Sequence, residues 1–200
     1  MAYLCCTLGV PIDIRNCMAG AFDYIESLQL THDDAMPLSV IGGGLVDSYL
    51  DGDQPGVDAC IHAWRALAHL RSALLAPALL QCLAELYDEG AEDQFAEAPE
   101  LLGISGLSGI GDLVFCVITE VYPVPVRNVA VRGMLEIARR HPRDRDSVVF
   151  SLGHILEEGE IIPPEVNAHI VDALVKLEAR DHAEAVERAF AGGCVDYALL

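Results

Sequence analysis

The sequence predicts an all-α fold: a right-handed α-solenoid, or superhelix, of about five antiparallel helix pairs, with residues 1–200 forming one domain. Three observations carry this. A Leu/Met-x-x-Leu/Ile pair recurs at Leu67/Leu70, Leu101/Ile104, Met134/Ile137 and Leu174/Leu177, its first members 34, 33 and 40 residues apart. Each pair lies late in an apolar stretch of helical period and is followed by a second such stretch, as in a stacked helical array. Hydrophobic residues are 52% of the chain but aromatics only 6%, with Ala and Leu dominant, which favours helix over sheet. The connections between periodic stretches are short, as antiparallel hairpins require.

Residues 1–17 are expected to form an irregular N-terminal cap. From Met18 to Leu30, Phe22, Ile25 and Leu28 repeat at helical spacing. Thr31 suits an N-cap, with Asp33 and Asp34 favourable in the first turn. The next helix runs to about Leu50 across Gly42, Gly43 and Gly44. Each glycine costs roughly 1 kcal/mol relative to Ala in a helix interior, so the helix either packs very closely there or breaks. Asp51–Gly56 has turn composition. Helices are expected over Val57–Leu70 and Ala76–Tyr87, with Pro77 in the first turn of the second, followed by an acidic connection at Asp88–Asp93.

The third pair covers about Glu92–Ile104 and Leu107–Glu120, joined through the glycine-rich stretch Ser105–Asp112. Val114–Ile118 is β-branched enough to compete as a strand. The fourth pair, Val126–Arg140 and Arg143–Glu157, splits at His141-Pro142, and Gly159–Pro164 is a further break. The last pair is Pro164–Leu177 and Asp181–Ala191, with Gly192-Gly193 as its stop.

The stretch from Pro125 through Val126-Arg127, Ala130 and Met134-Leu135 to Ile137-Ala138 resembles the first helix of a HEAT-like repeat. Ile61–Leu70 and Ala98–Ile104 are weaker copies. Over about residues 60–197 the chain resembles a bacterial HEAT-like group through Ile137–Pro142, Asn167–Leu177 and Ala185–Asp196. In that group the Val-Asp is usually followed by Gly-Asp-Trp. Here Asp196 is followed by Tyr-Ala-Leu-Leu, a departure that falls on the C-terminal cap. The resemblance implies architecture, with the second helix of each pair lining a concave surface. It implies no activity, because the group has none assigned.

The net charge is −19, which repels phosphate backbones and makes nucleic acid a poor partner. Residues 1–126 hold 18 acids against Arg15, Arg65 and Arg71, while residues 127–200 hold 13 acids and 9 bases. Seven cysteines form no C-x-x-C and no disulfide framework, which points to a reducing, cytoplasmic setting. The N-terminus lacks the basic region of a signal peptide. No stretch approaches about 18 uninterrupted apolar residues, so no membrane span is expected.

No catalytic motif emerges. Gly103, Gly106, Gly109 and Gly111 could cradle a phosphate, but a helix precedes them and no Lys accompanies them. His62 and His69 share a helical face, His154 neighbours Glu157 and Glu158, and Asp181 neighbours His182. None of these reaches the three or four converging ligands of a zinc site, so neither metal nor cofactor is expected. Asp51, Asp53 and Asp58 fail the calcium-loop pattern, which needs Glu at the twelfth position, where His62 stands. Cys194 near His182 lacks the electropositive surroundings of a reactive thiol.

Two charged clusters remain. Asp88, Glu89, Glu92, Asp93, Glu97 and Glu100 form the densest acidic run, a candidate surface for a basic protein. Arg139, Arg140, Arg143 and Arg145 form a candidate anion patch, and Arg127 is expected to bridge to Asp112 or Glu120 of a neighbouring repeat. The function expected is a non-enzymatic protein-interaction module, in one version an immunity-type inhibitor of a basic toxin. The alternative is a ligand- or chromophore-handling protein of the phycobilin-lyase kind. An apolar excess also allows a homodimer.

Overall fold

The computed structural model describes residues 24–44, 55–88, 90, 95–158 and 161–200. Every regular element among them is helical, including Val114–Ile118. The helices are α1 Tyr24–Leu28, α2 Ala35–Gly44, α3 Pro55–His69, α4 Leu75–Asp88 and α5 Ala98–Ser105. They continue with α6 Ile110–Ile118, α7 Val124–Arg140, α8 Arg145–Glu157, α9 Pro164–Lys176 and α10 Ala183–Ala191. The expected N-terminal cap 1–17, the start of the first helix, the turn at 51–54 and residues 89 and 91–94 of the acidic connection lie outside the described residues.

From α3 onward each helix touches the one two places later. In one layer α3 meets α5, α5 meets α7 and α7 meets α9; in the other α4 meets α6, α6 meets α8 and α8 meets α10. The recurring apolar pair explains the first layer. Leu67, Leu101, Met134 and Leu174 lie in α3, α5, α7 and α9, and each is at most 2% exposed. One hydrophobic cluster runs from Tyr24 to Val195 between the layers.

Local chemistry sets the ends of the elements. The Asp34 carboxylate accepts from the Thr31 N–H at 2.8 Å and the Thr31 hydroxyl at 2.9 Å. This holds the short 3-10 turn His32–Asp34 that leads into α2, and the bonds lower the Asp34 pKa. Of the two expectations for Gly42–Gly44, close packing is the one observed, since α2 runs unbroken to Gly44. The Gly42 carbonyl accepts from Trp64 Nε1 at 2.9 Å, and a Cβ on Gly42 would stand 2.9 Å from Trp64 Cδ1. Residues 45–50 lie outside the description.

Three helices end in Schellman motifs whose left-handed residue is not glycine: Gln29, Arg71 and Glu178, with φ near 50°. After α9, for example, Ala179 N–H bonds to Leu174 O and Glu178 N–H to Val175 O. The glycine stop after α10 has the same form at Gly193, with φ 70°.

The glycine-rich stretch after α5 is a tight inter-helix turn. Gly106 takes φ 76° and opens the 3-10 turn Gly106–Gly109, which joins α5 to α6 within the helical run Ala98–Ile118. That run is long and apolar enough to cross a membrane by length and composition, but 50% of it is buried within the fold and Glu100 and Asp112 interrupt it. Arg127 also departs from expectation. It bridges to no acid among the described residues; its Nε and Nη2 donate to Val117 O at 2.9 and 2.7 Å. A buried cation thereby satisfies a carbonyl at the C-terminal end of α6, where the helix dipole favours it.

The chain's end is pinned to α9. Asn167 Nδ2 donates to Cys194 O at 2.9 Å, Asp196 N–H to Pro164 O at 3.1 Å, and Val195 is 3% exposed. Asp196 then accepts from Ala198 N–H at 2.9 Å and caps the final turn.

Candidate functional site

The two layers carry different charge on their solvent sides. Among the described side chains of α5, α7 and α9, Arg132, Arg139, Arg140 and Lys176 are balanced by Glu100, Glu136, Glu165 and Asp172. In the other layer, Glu85, Asp88, Asp112, Asp146, Glu157, Glu184 and Glu187 face only Arg145 and Arg188. Both of those bases sit beside acids of their own helix: Arg145 Nη1 lies 3.1 Å from Asp146, and Arg188 Nη1 lies 4.0 Å from Glu184. Arg145 Nη2 also donates to Leu177 O. The surplus charge of this layer is therefore negative.

Apolar side chains interrupt this acidic surface. Phe115 and Ile118 on α6 are 55% and 46% exposed, and Phe150 on α8 is 68% exposed. Helices α6 and α8 touch. Phe150 stacks on His154 one turn later, with ring centroids 6.2 Å apart and planes at 14°. Asp146, Phe150, His154 and Glu157 recur at helical period along the exposed stripe of α8, so Phe150 interrupts a polar stripe.

The acidic run read from the sequence is divided by the fold. Asp88 is exposed at the end of α4 and Glu100 is exposed on α5, so they belong to different layers. Glu97 turns inward, accepting from Arg65 Nε at 2.7 Å and Nη2 at 2.6 Å. Glu89, Glu92 and Asp93 lie outside the described residues. The four arginines are dispersed too. Arg139 and Arg140 converge on Glu136, at 2.9 and 3.9 Å. Arg143 is exposed in the turn after α7, and Arg145 belongs to the acidic layer.

A second concave feature lies between α8 and the turn after α9. It is a cleft of about 370 Å³ lined by Arg145, Asp146, Val149, Phe150, Glu178, Ala179, Arg180, Asp181 and His182. The His182 ring lies against Gly153, where any Cβ would collide with it. Among the described residues no group of three or more His, Cys, Asp or Glu is placed to hold a metal ion.

Comparison of the chain with known protein families, curated proteins and solved structures returns no match.

The sequence did not single out Phe115, Ile118 or Phe150, although it carries a signal for each. Beyond Asp112 in its first turn, helix α6 is apolar on all sides, with Leu113, Cys116 and Val117 buried while Phe115 and Ile118 face out. A helix that is apolar all round marks either deep burial or a partner surface.

A polar constellation around α3 was also missed. Tyr24 Oη and His62 Nδ1 lie 2.6 Å apart, and the His69 ring meets Tyr24 edge-on at 5.8 Å. Beside them is the Arg65–Glu97 pair. Burial works against the Arg65 charge, but the hydrogen bonds and charge of Glu97 hold its pKa above the ordinary value.

Proposed function

We propose that the chain is a HEAT-like right-handed α-solenoid that serves as a non-enzymatic protein-interaction module, its acidic layer receiving a basic protein. The observation that carries this is the charge inequality between the layers: seven acids against two internally paired bases on one side, and balance on the other. Layers in which each helix meets the one two places later support the stacked architecture. Acidic surfaces of this kind steer basic partners and select against acidic ones. A cytoplasmic, reducing setting accords with the free thiols of Cys60, Cys82, Cys116 and Cys194.

The test is capture of partners from native lysate by the tagged protein, compared with a variant carrying Asp112→Asn, Asp146→Asn and Glu157→Gln, and with one carrying Glu165→Gln and Asp172→Asn on the other layer. Basic proteins should be retained at low salt, released at high salt, and lost with the first variant only. Equal capture by both variants, or retention of acidic proteins, would overturn the reading.

One observation favours ligand handling as a second reading. The cleft beside α8 lies at the low end of the size range of small-molecule sites and brings Arg145, Arg180 and His182 together. A small-molecule or coloured passenger in the purified protein, lost on Arg180→Glu, would favour it.

A further inference from the structure

We infer that the partner docks as a basic amphipathic helix, its apolar side on Phe115, Ile118 and Phe150 and its cations toward Asp112, Asp146 and Glu157; this rests on the interaction reading above. The three apolar side chains are 55%, 46% and 68% exposed on two helices that touch each other. Two adjoining helices leave a groove between their ridges, and an amphipathic helix fills such a groove with side chains at i, i+3, i+4 and i+7. Large aromatics at the centre of a polar surface are the residue type that dominates binding energy.

The charge of the surroundings selects the occupant. Asp112 stands three residues before Phe115, and Asp146 four residues before Phe150, all of them exposed. Glu157 lies beyond His154 on the same stripe and within 3.6 Å of it. A second copy of this chain would set the acids around the patch against their own kind, with Arg145 beside Asp146 the exception, which costs free energy. A helix with Lys or Arg flanking an apolar stripe meets the acids with opposite charge while its stripe covers the phenyl rings. Burying those rings also removes apolar surface from water.

The probe is a fluorescent Leu/Lys peptide of about 18 residues, or five helical turns, patterned to be amphipathic. Its control is a scrambled peptide of the same composition. Binding is read by anisotropy against the full-length protein and against Phe115→Ala and Phe150→Ala. Both side chains are more than half exposed, so neither truncation removes core packing. The patterned peptide should bind and gain helical circular dichroism, and each Phe variant should weaken it roughly tenfold. Equal binding of the scrambled peptide, untouched by the Phe variants, would overturn the docking mode while leaving the acidic module standing. No binding of either Lys-rich peptide at low salt would overturn both. A dimer that the Phe variants dissolve would assign the patch to a second copy and overturn the proposed occupant.

Discussion

Arg65 sits 5% exposed with two of its nitrogens committed to Glu97. Removing the carboxylate charge strands a buried cation, and that loss exceeds what the pair itself contributes. Glu97→Gln should therefore lower stability by about 3 kcal/mol, read as a reduced urea midpoint. Replacing both residues, Arg65→Met with Glu97→Leu, should recover most of it.

His169 gives a pH signature. Burial, helped by the Arg132 charge, lowers its pKa below the ordinary 6.5. The unfolded chain then takes up a proton at acidic pH that the folded chain refuses. Stability is full above about pH 6.5 and falls as pH drops through that value toward the folded pKa. In His169→Gln this part of the acid dependence should vanish from melting temperatures taken between about pH 7.5 and 5.5.

Neither residue was legible in the sequence. Glu97 reads there as one member of an acidic run, because its partner lies 32 positions away and no local spacing joins them. His169 is one histidine among seven, set apart only by the basic residues that α7 and α9 bring to it.

Helices α5 and α7 cross at reciprocal glycines. A Cβ on Gly133 would come within 2.6 Å of Leu102 Cδ1, and one on Gly103 within 2.7 Å of Glu136 Cβ. Gly111 in α6, by contrast, has open space around it. Gly133→Ala should cost about 1–3 kcal/mol through overpacking, whereas Gly111→Ala should add up to about 0.5–1 kcal/mol through the unfolded chain's entropy. Opposite shifts of the denaturation midpoint would establish the contrast, and equal shifts would refute it.

At this scale much of the sequence reading survives. Helix limits from α3 to α10 fall within about three residues of those expected, except the start of α5, expected near Glu92 and found at Ala98. The signal is incomplete where chemistry is ambiguous. The glycines between α5 and α6 have turn composition, and Gly106 makes the turn with φ 76°, but Gly109 rests on Ala76, where a Cβ would meet the Ala76 Cβ at 2.6 Å. Composition records that small residues are present; it does not distinguish a turn from a close approach. Likewise Arg71 and Glu178 occupy left-handed helix ends that sequence rules reserve for glycine.

For the molecule as a whole, the all-helical character was the legible feature, because burial at helical spacing leaves a periodic trace. The surface that carries the proposed function was not. Which acids share a layer depends on how the helices stack, so the run at Asp88–Glu100, contiguous in sequence, is split between the layers. Asp112, Asp146 and Glu157, far apart in sequence, lie in the same layer.

The unequal charge of the two layers has a consequence before any contact forms. Negative charge concentrated on one side gives the molecule an electric dipole directed across its layers. A cationic body approaching within a Debye length exerts a torque on that dipole as well as an attraction. The protein turns as it diffuses, and first collisions fall preferentially on the side that bears Phe115 and Phe150.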